Sequence, residues 1–216
     1  ESQPYPPRFT VEAALHTAAL LHPRWDGELA DDLVEVFELR RRQRIGKLSR
    51  GQRSAMGVVI ALASRAPITV LDEPYVGLDA VARRVFYDRL LEEVVVAPRT
   101  VIFSSHLIDE IAHLLDHLVV IDHGRVVLDA PAESVHDSVL EVSGPRVLVD
   151  AFADGREVLS RADLGGVSRA TVRGAAGDDA VAAGLRVRAL PLQEVVVALT
   201  THPHEASRGH VVGSAS

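Results

Sequence analysis

Two short stretches of the chain end in residue types suited to phosphoryl chemistry. "ITVLDEP" delivers Asp72 and Glu73 side by side, and "TVIFSSH" delivers His106. In such a pair one carboxylate can hold Mg²⁺ or its water, while the neighbour orients or deprotonates an attacking water. A histidine near a γ-phosphate can hydrogen-bond both the phosphate and that water. Taken singly, each residue has a plainer use: Asp72 and Glu73 as caps of the next turn, His106 as a satisfied, partly buried ring. A third stretch, "IGKLSRGQRS" at 45–54, contains Lys47, the only lysine of the chain. The phosphate-cradling P-loop has the pattern G-x-x-x-x-G-K-[ST] between a strand and a helix. Gly46 and Lys47 fit it, but Leu48 stands where the Mg²⁺-binding hydroxyl belongs and Arg41 where the first glycine belongs. Lys47 is therefore not a P-loop lysine. The stretch offers instead Ser49 followed by Arg50-Gly51-Gln52 at a helix start. That combines a hydroxyl, a glycine N–H open to close approach and the positive end of a helix dipole, which together suit an anion. Alone, it would be an ordinary N-cap with a glycine.

These residues need elements to hold them. The opening "ESQPYPPRF" is proline-rich and extended. Thr10 caps a helix over "VEAALHTAALL", and a second amphipathic helix over "RWDGELADDLVEVFEL" is capped near Asp26. The run "RRRQR" reads as a solvated helix end and connector. Ser49 opens a long helix through "AMGVVIALASR", apolar on nearly every face and so buried, which Pro67 ends. "ITVLD" and "TVIFSS" have the continuous, β-branched look of buried parallel strands, with a helix from about Ala80 to Glu93 between them. A helix over "LIDEIAHLL" leads to "HLVVIDHGRVVL", a strand, a tight turn at His123-Gly124 and a hairpin return. Strands alternating with helices predict an α/β fold with a largely parallel sheet. In such sheets functional side chains collect past the carboxyl ends of strands, where Asp72, Glu73 and His106 fall. From about His136 the texture changes to short strand-like pieces, "VLEVSG", "RVLVDAF", "EVLSRADLGG", "RATVRG" and "LRVRAL", closed by a helix over "LQEVVVALT". This is a small α+β unit that suggests no chemistry.

The order of these features is more specific than any one of them: an anion-binding helix start, an apolar strand ending Asp-Glu, "GLDA", and an apolar strand ending in His. In that order the chain resembles the ATP-binding cassette (ABC) ATPases. "LSRGQ" resembles their signature motif, usually LSGGQ, with Arg50 in place of a glycine. "ITVLDEP" resembles the Walker B motif with its catalytic glutamate, "GLDA" the D-loop and "SSH" the switch histidine. "VVIDHGRVVLDAP" resembles the hairpin that follows in transporter-type members, and "ESQPYPPRFTVEAAL" resembles the Q-loop and the start of the helical subdomain.

The resemblance covers roughly residues 1–135. It implies a P-loop NTPase-like parallel sheet, incomplete here, with a helical subdomain and a small α+β C-terminal extension. The implied division is 1–48 for the Q-loop region and helical subdomain, 49–135 for the ATPase core, 136–200 for the extension and 201–216 for a disordered tail. By the same resemblance Asp72 serves the Mg²⁺ shell, Glu73 is the general base for ATP hydrolysis and His106 contacts the γ-phosphate. Ser49 and Gly51 bind the γ-phosphate of ATP held by an opposite subunit, with Gln52 nearby, and Asp79 couples the two nucleotide sites. Glu1 or Gln3 falls near the Q-loop glutamine. The implied partners are a second ABC ATPase subunit and a separate transmembrane permease, on the cytoplasmic face of the membrane. The Walker A loop and adenine-stacking aromatic of the family fall upstream of every motif seen here. The chain by itself is therefore expected to bind ATP weakly and not to turn it over. Rival expectations are a non-catalytic partner that lends "LSRGQ" to an intact subunit, and a non-transport ABC ATPase.

Bulk properties narrow the classes. The chain has 216 residues, 47% of them hydrophobic, and a formal net charge of −7, which argues against general binding to nucleic acid or anionic membranes. No apolar run approaches the roughly 20 residues of a membrane span. The first residues have neither the basic nor the apolar region of a signal peptide. With no cysteine there is no disulfide or thiolate chemistry. The only methionine is Met56, so a piece of a longer protein is expected. His113 and His117 have the i, i+4 spacing of metal ligands but lack an evident third ligand, and Trp25 is expected to pack within the helical subdomain.

Overall fold

The computed structural model describes residues 5–136 and 138–201. The expected roles of Glu1, Gln3 and the tail from 202 lie outside the described residues. The chain divides between His106 and Leu107 into two compact units.

The N-terminal unit opens with α1 (Val11–Leu21) and α2 (Gly27–Val36), each started as the sequence predicts. The Thr10 hydroxyl accepts from the Ala13 N–H, and the Asp26 carboxylate accepts from the Leu29 N–H. These satisfy amides that a helix start leaves without a partner. Residues Ile45–Lys47 form a single 3₁₀ turn, and α3 (Arg50–Ala63) follows it. The all-round apolar pattern of α3 is matched by burial of Ala55, Met56, Val58, Val59, Leu62 and Ala63. The helix stops short of Pro67 because Arg65 takes up a left-handed backbone (φ 44°). From there the Arg65 guanidinium reaches Asp26 at 2.9 Å and Glu93 at 3.3 Å.

Strand β1 (Ile68–Asp72) follows, then α4 (Ala80–Val96) and β2 (Thr100–Ser104). β1 and β2 pair in parallel, with Ile68 opposite Thr100 and Asp72 opposite Ser104. One face is packed. Phe103 stacks with Tyr75 and Phe86, and Phe86 leans on Tyr87 at 5.3 Å between ring centroids. The other face departs from the expectation of a strand buried on both sides: Ile68 is 62% exposed, Val70 66% and Ile102 54%. The apolar run was legible, but no described residue covers that face.

The second unit starts with a short α5 (Ile108–Ile111) that tightens into a 3₁₀ turn, so "LIDEIAHLL" is not one continuous α-helix. The hairpin β3 (His117–Asp122) and β4 (Arg125–Pro131) turns at His123-Gly124, both at positive φ, as expected. α6 (Ala132–His136) leads to β5 (Val139–Pro145), α7 (Arg146–Ala153), β6 (Glu157–Leu164) and β7 (Val167–Arg173). α8 (Gly177–Ala182), β8 (Arg186–Ala189) and α9 (Leu192–Thr201) complete the unit. Its main sheet runs β6-β7-β5-β8, and all its pairings are antiparallel, as in the hairpin; among the described residues parallel pairing is confined to β1 and β2. Two elements correct the sequence reading. "RVLVDAF" is helix α7, not a strand. It begins after Pro145 and buries Val149 and Phe152, three apart on one helical face, against the sheet. α8 lies between "RATVRG" and "LRVRAL", where the sequence pattern predicts no element. The hairpin shares a hydrophobic core with the C-terminal segment: Val120, Leu128, Val135, Leu159, Leu192 and Val195 form one buried cluster.

Phe86 has no exposed surface. Phe86→Ala is expected to cost the N-terminal unit about 3–5 kcal/mol, as for other large-to-small changes of buried aromatics. A lowered urea midpoint, followed by fluorescence of Trp25, the only tryptophan, checks this.

Candidate functional site

The strand register does the first part of the assembly. With Asp72 opposite Ser104, the Ser104 hydroxyl donates to Asp72 Oδ1 at 2.6 Å and accepts from the Glu73 N–H at 3.0 Å. The chain then leaves β1 through a left-handed residue at Glu73 (φ 46°). A non-glycine residue held there costs of order 1–3 kcal/mol, so the surroundings must impose it. The turn brings the Glu73 carboxylate back towards the end of β2. His106 Nδ1 lies 2.9 Å from Glu73 Oε1, and the Tyr75 hydroxyl donates to Glu73 Oε2. Asp72 is exposed, Glu73 is partly buried, and the His106 side chain is 67% exposed. The structure thus brings together Asp72, Glu73 and His106.

Tyr75 is the residue that sequence reasoning missed. Its ring is buried, and its hydroxyl accepts from the His106 N–H at 3.1 Å and from Ser105 Oγ at 3.2 Å. Burial raises its hydroxyl above the usual value near 10, and the bond to Glu73 adds to the rise.

The second part is the start of α3. Ser49 and Gln52 form a reciprocal capping box, each side chain bonded to the other's backbone N–H at 3.1 Å. Gln52 therefore turns back into its own helix start and also meets Gln43. Gly51 has a packing reason of its own. A Cβ there would lie 2.3 Å from the carbonyl oxygen of Gly77, which itself needs φ 89°. The same segment is fastened one turn on, where Ser54 donates to the Val76 carbonyl at 2.5 Å. Between α3 and the end of β1 a cleft of about 490 Å³ opens, lined among others by Arg50, Arg53, Asp72 and Glu73. Two arginines and two acidic residues therefore stand among the residues lining one cleft. Asp79 caps α4, its carboxylate accepting from the Ala82 N–H at 2.9 Å. Lys47 lies exposed on the 3₁₀ turn, away from any strand-to-helix loop, as its surroundings in sequence predict. His117 begins β3, as expected, and its Nε2 meets Asp129 at 2.6 Å across the hairpin.

Mg²⁺ is commonly held by one or two carboxylates completed by phosphate and water, so Asp72 fits the ion without a cage of protein ligands. Among the described residues no group of three or more His, Asp or Glu forms such a cage.

No family model matches the sequence. Individual proteins do. Over 171 residues the chain is 30% identical to the Nod factor export ATP-binding protein I of Burkholderia orbicola, covering 70% of this chain and 55% of the relative. Over 128 residues it is 32% identical to the glycine betaine uptake system ATP-binding protein YehX of Escherichia coli K12, covering 56% and 41%. The chain is a homologue of ABC transporter ATP-binding proteins. The fold agrees: a solved ATP-binding subunit of an ABC transporter superposes with a TM-score of 0.57 at 22% identity, covering 63% of this chain and 58% of that one. This ABC homologue spans about half the length of the curated relatives it matches. No helix among its described residues is long and apolar enough to cross a membrane.

The raised Tyr75 hydroxyl carries a linkage to stability. Its neutral form is favoured in the fold, so the contribution is fully present below the unfolded-state value and is lost as pH rises through the folded one. In an alkaline titration of tyrosinate absorbance, Tyr75→Phe is expected to remove a step lying above pH 10.

Proposed function

We propose that the chain is the signature-to-switch portion of an ABC transporter ATPase, and that Glu73 is the general base for ATP hydrolysis. The observation that carries the reading is the contact of Glu73 with His106 at the ends of two adjacent parallel strands, beside Asp72. In the proposed mechanism Glu73 takes the proton of a water attacking the γ-phosphate in line, and His106 orients that phosphate. Asp72 would hold Mg²⁺, which when bound neutralises charge on the phosphates. Ser49 and the Arg50 and Gly51 N–H groups would meet the γ-phosphate of ATP carried by an opposite subunit, with Gln52 holding the helix start in shape. Asp79, next to the segment packed on α3, would couple the two sites. The Q-loop position, at Glu1 or Gln3, would touch the Mg²⁺ site and the membrane partner.

The proposed assembly is a pair of such subunits on the cytoplasmic face of a membrane, driving a separate permease. The relatives include an export protein and an uptake protein, so the reading names the ATP engine and no cargo. Residues 1–216 contain no P-loop lysine, and we propose that these residues alone neither hold ATP firmly nor hydrolyse it.

Two measurements test this. The isolated chain is expected to show no ATP turnover; turnover that Glu73→Gln removes would overturn that claim. In the complete subunit as its own cell makes it, Glu73→Gln is expected to lower kcat by roughly 10²–10⁴, the span of general-base contributions, with ATP binding retained. Unchanged kcat would remove Glu73 from the role.

A further inference from the structure

The Tyr75 hydroxyl has more neighbours than it can serve in arbitrary ways. A tyrosine offers one hydrogen and two lone pairs. Around it stand the Glu73 carboxylate, His106 Nδ1 at 2.9 Å, the His106 main-chain N–H at 3.1 Å and Ser105 Oγ at 3.2 Å. The main-chain N–H can only donate, so it takes one lone pair. The single hydroxyl hydrogen goes to Glu73, an acceptor-only group when ionised. That settles His106 as well. Its Nδ1 faces Glu73 Oε1 at 2.9 Å, and a bare lone pair there would point at a carboxylate. Nδ1 therefore bears the hydrogen, and Nε2 is left for whatever approaches the exposed imidazole.

The hydroxyl is itself held firmly. The Tyr75 ring is 3% exposed, stacks on Phe103 at 6.4 Å and meets the His106 ring edge-on at 5.5 Å. Its backbone continues into Val76 and Gly77, both fastened to α3. The left-handed turn at Glu73 is the backbone counterpart, since it aims the carboxylate at Tyr75 and His106.

We propose that Tyr75 is a positioning residue that fixes the Glu73 carboxylate and the Nδ1–H form of His106 against each other. The role rests on the reading of Glu73 as the general base, but the geometry it requires is measurable without ATP.

The first test uses this chain with ¹⁵N-labelled histidine, at a pH where the imidazoles are neutral, with the His106 signals identified by their loss in His106→Gln. The expected result is the Nδ1–H tautomer in the unaltered chain and a shift towards Nε2–H in Tyr75→Phe. An Nε2–H tautomer in the unaltered chain, or an unmoved one in Tyr75→Phe, would overturn the proposal. Phenylalanine keeps the ring stack, so an unchanged urea midpoint separates loss of the hydroxyl from loss of the fold. The second test measures turnover in the complete subunit. Tyr75→Phe is expected to lower kcat by about tenfold or more with KM for ATP unchanged, the signature of a misaligned base. Full activity of Tyr75→Phe alongside an inactive Glu73→Gln would overturn the proposal and leave the base assignment standing. Full activity of Glu73→Gln would remove the base assignment, while the tautomer result would still decide whether Tyr75 sets the geometry.

Discussion

The pairing of Asp72 with Ser104 is the constraint on which the rest of the site depends. A parallel strand pair has no local turn to set its register, so the register comes from packing and is confirmed at the ends by side chains. Here one hydroxyl does the confirming, donating to Asp72 and accepting from the main chain of Glu73. A slip of one residue would carry Glu73 to the wrong face and Phe103 out of the aromatic stack. Because the register is held, two residues 33 apart in sequence come within 2.9 Å of each other.

The segment after Glu73 works in two directions. Towards the strands, Tyr75 packs on Phe103 and reaches the Glu73–His106 pair. Towards α3, Val76 and Gly77 are bound so closely that Gly51 has no room for a side chain. Gly51 thus answers a demand for close backbone contact that its place at a helix start does not reveal in sequence. Arg50 replaces the glycine usual at its position, and its Cγ would lie 3.1 Å from a Cβ at Gly77. A side chain is accommodated there because Gly77 has none.

What the sequence made legible follows from short-range rules. The caps at Thr10, Asp26 and Ser49, the strands β1 and β2 and the His123-Gly124 hairpin are set by patterns within a few residues. "RVLVDAF" misled because three β-branched or long apolar residues in a row look like a strand. The preceding Pro145 and the pairing of Val149 with Phe152 on one face decided for helix, and burial alone reveals that face. Asp72, Glu73 and His106 were singled out from their residue types and their places at strand ends. Tyr75 was not, because nothing local marks a tyrosine two residues past a glutamate; its role appears only when the register brings the end of β2 alongside it. The reading of "ITVLD" as buried on both faces failed for a comparable reason, since composition reports what a strand could bury and not what is there to bury it.

That bare face has a practical side. β1 and β2 make a two-stranded sheet among the described residues, so each has an open edge, and Ile68, Val70 and Ile102 present apolar surface beside those edges. Unprotected edges next to apolar surface are templates for adding further strands. Association through this sheet would add strand to strand and would need no nucleotide. Such association would grow with concentration and would not close at two. A dimer of the isolated chain is therefore informative about ATP only if it stops at two copies and dissolves when the nucleotide is withdrawn.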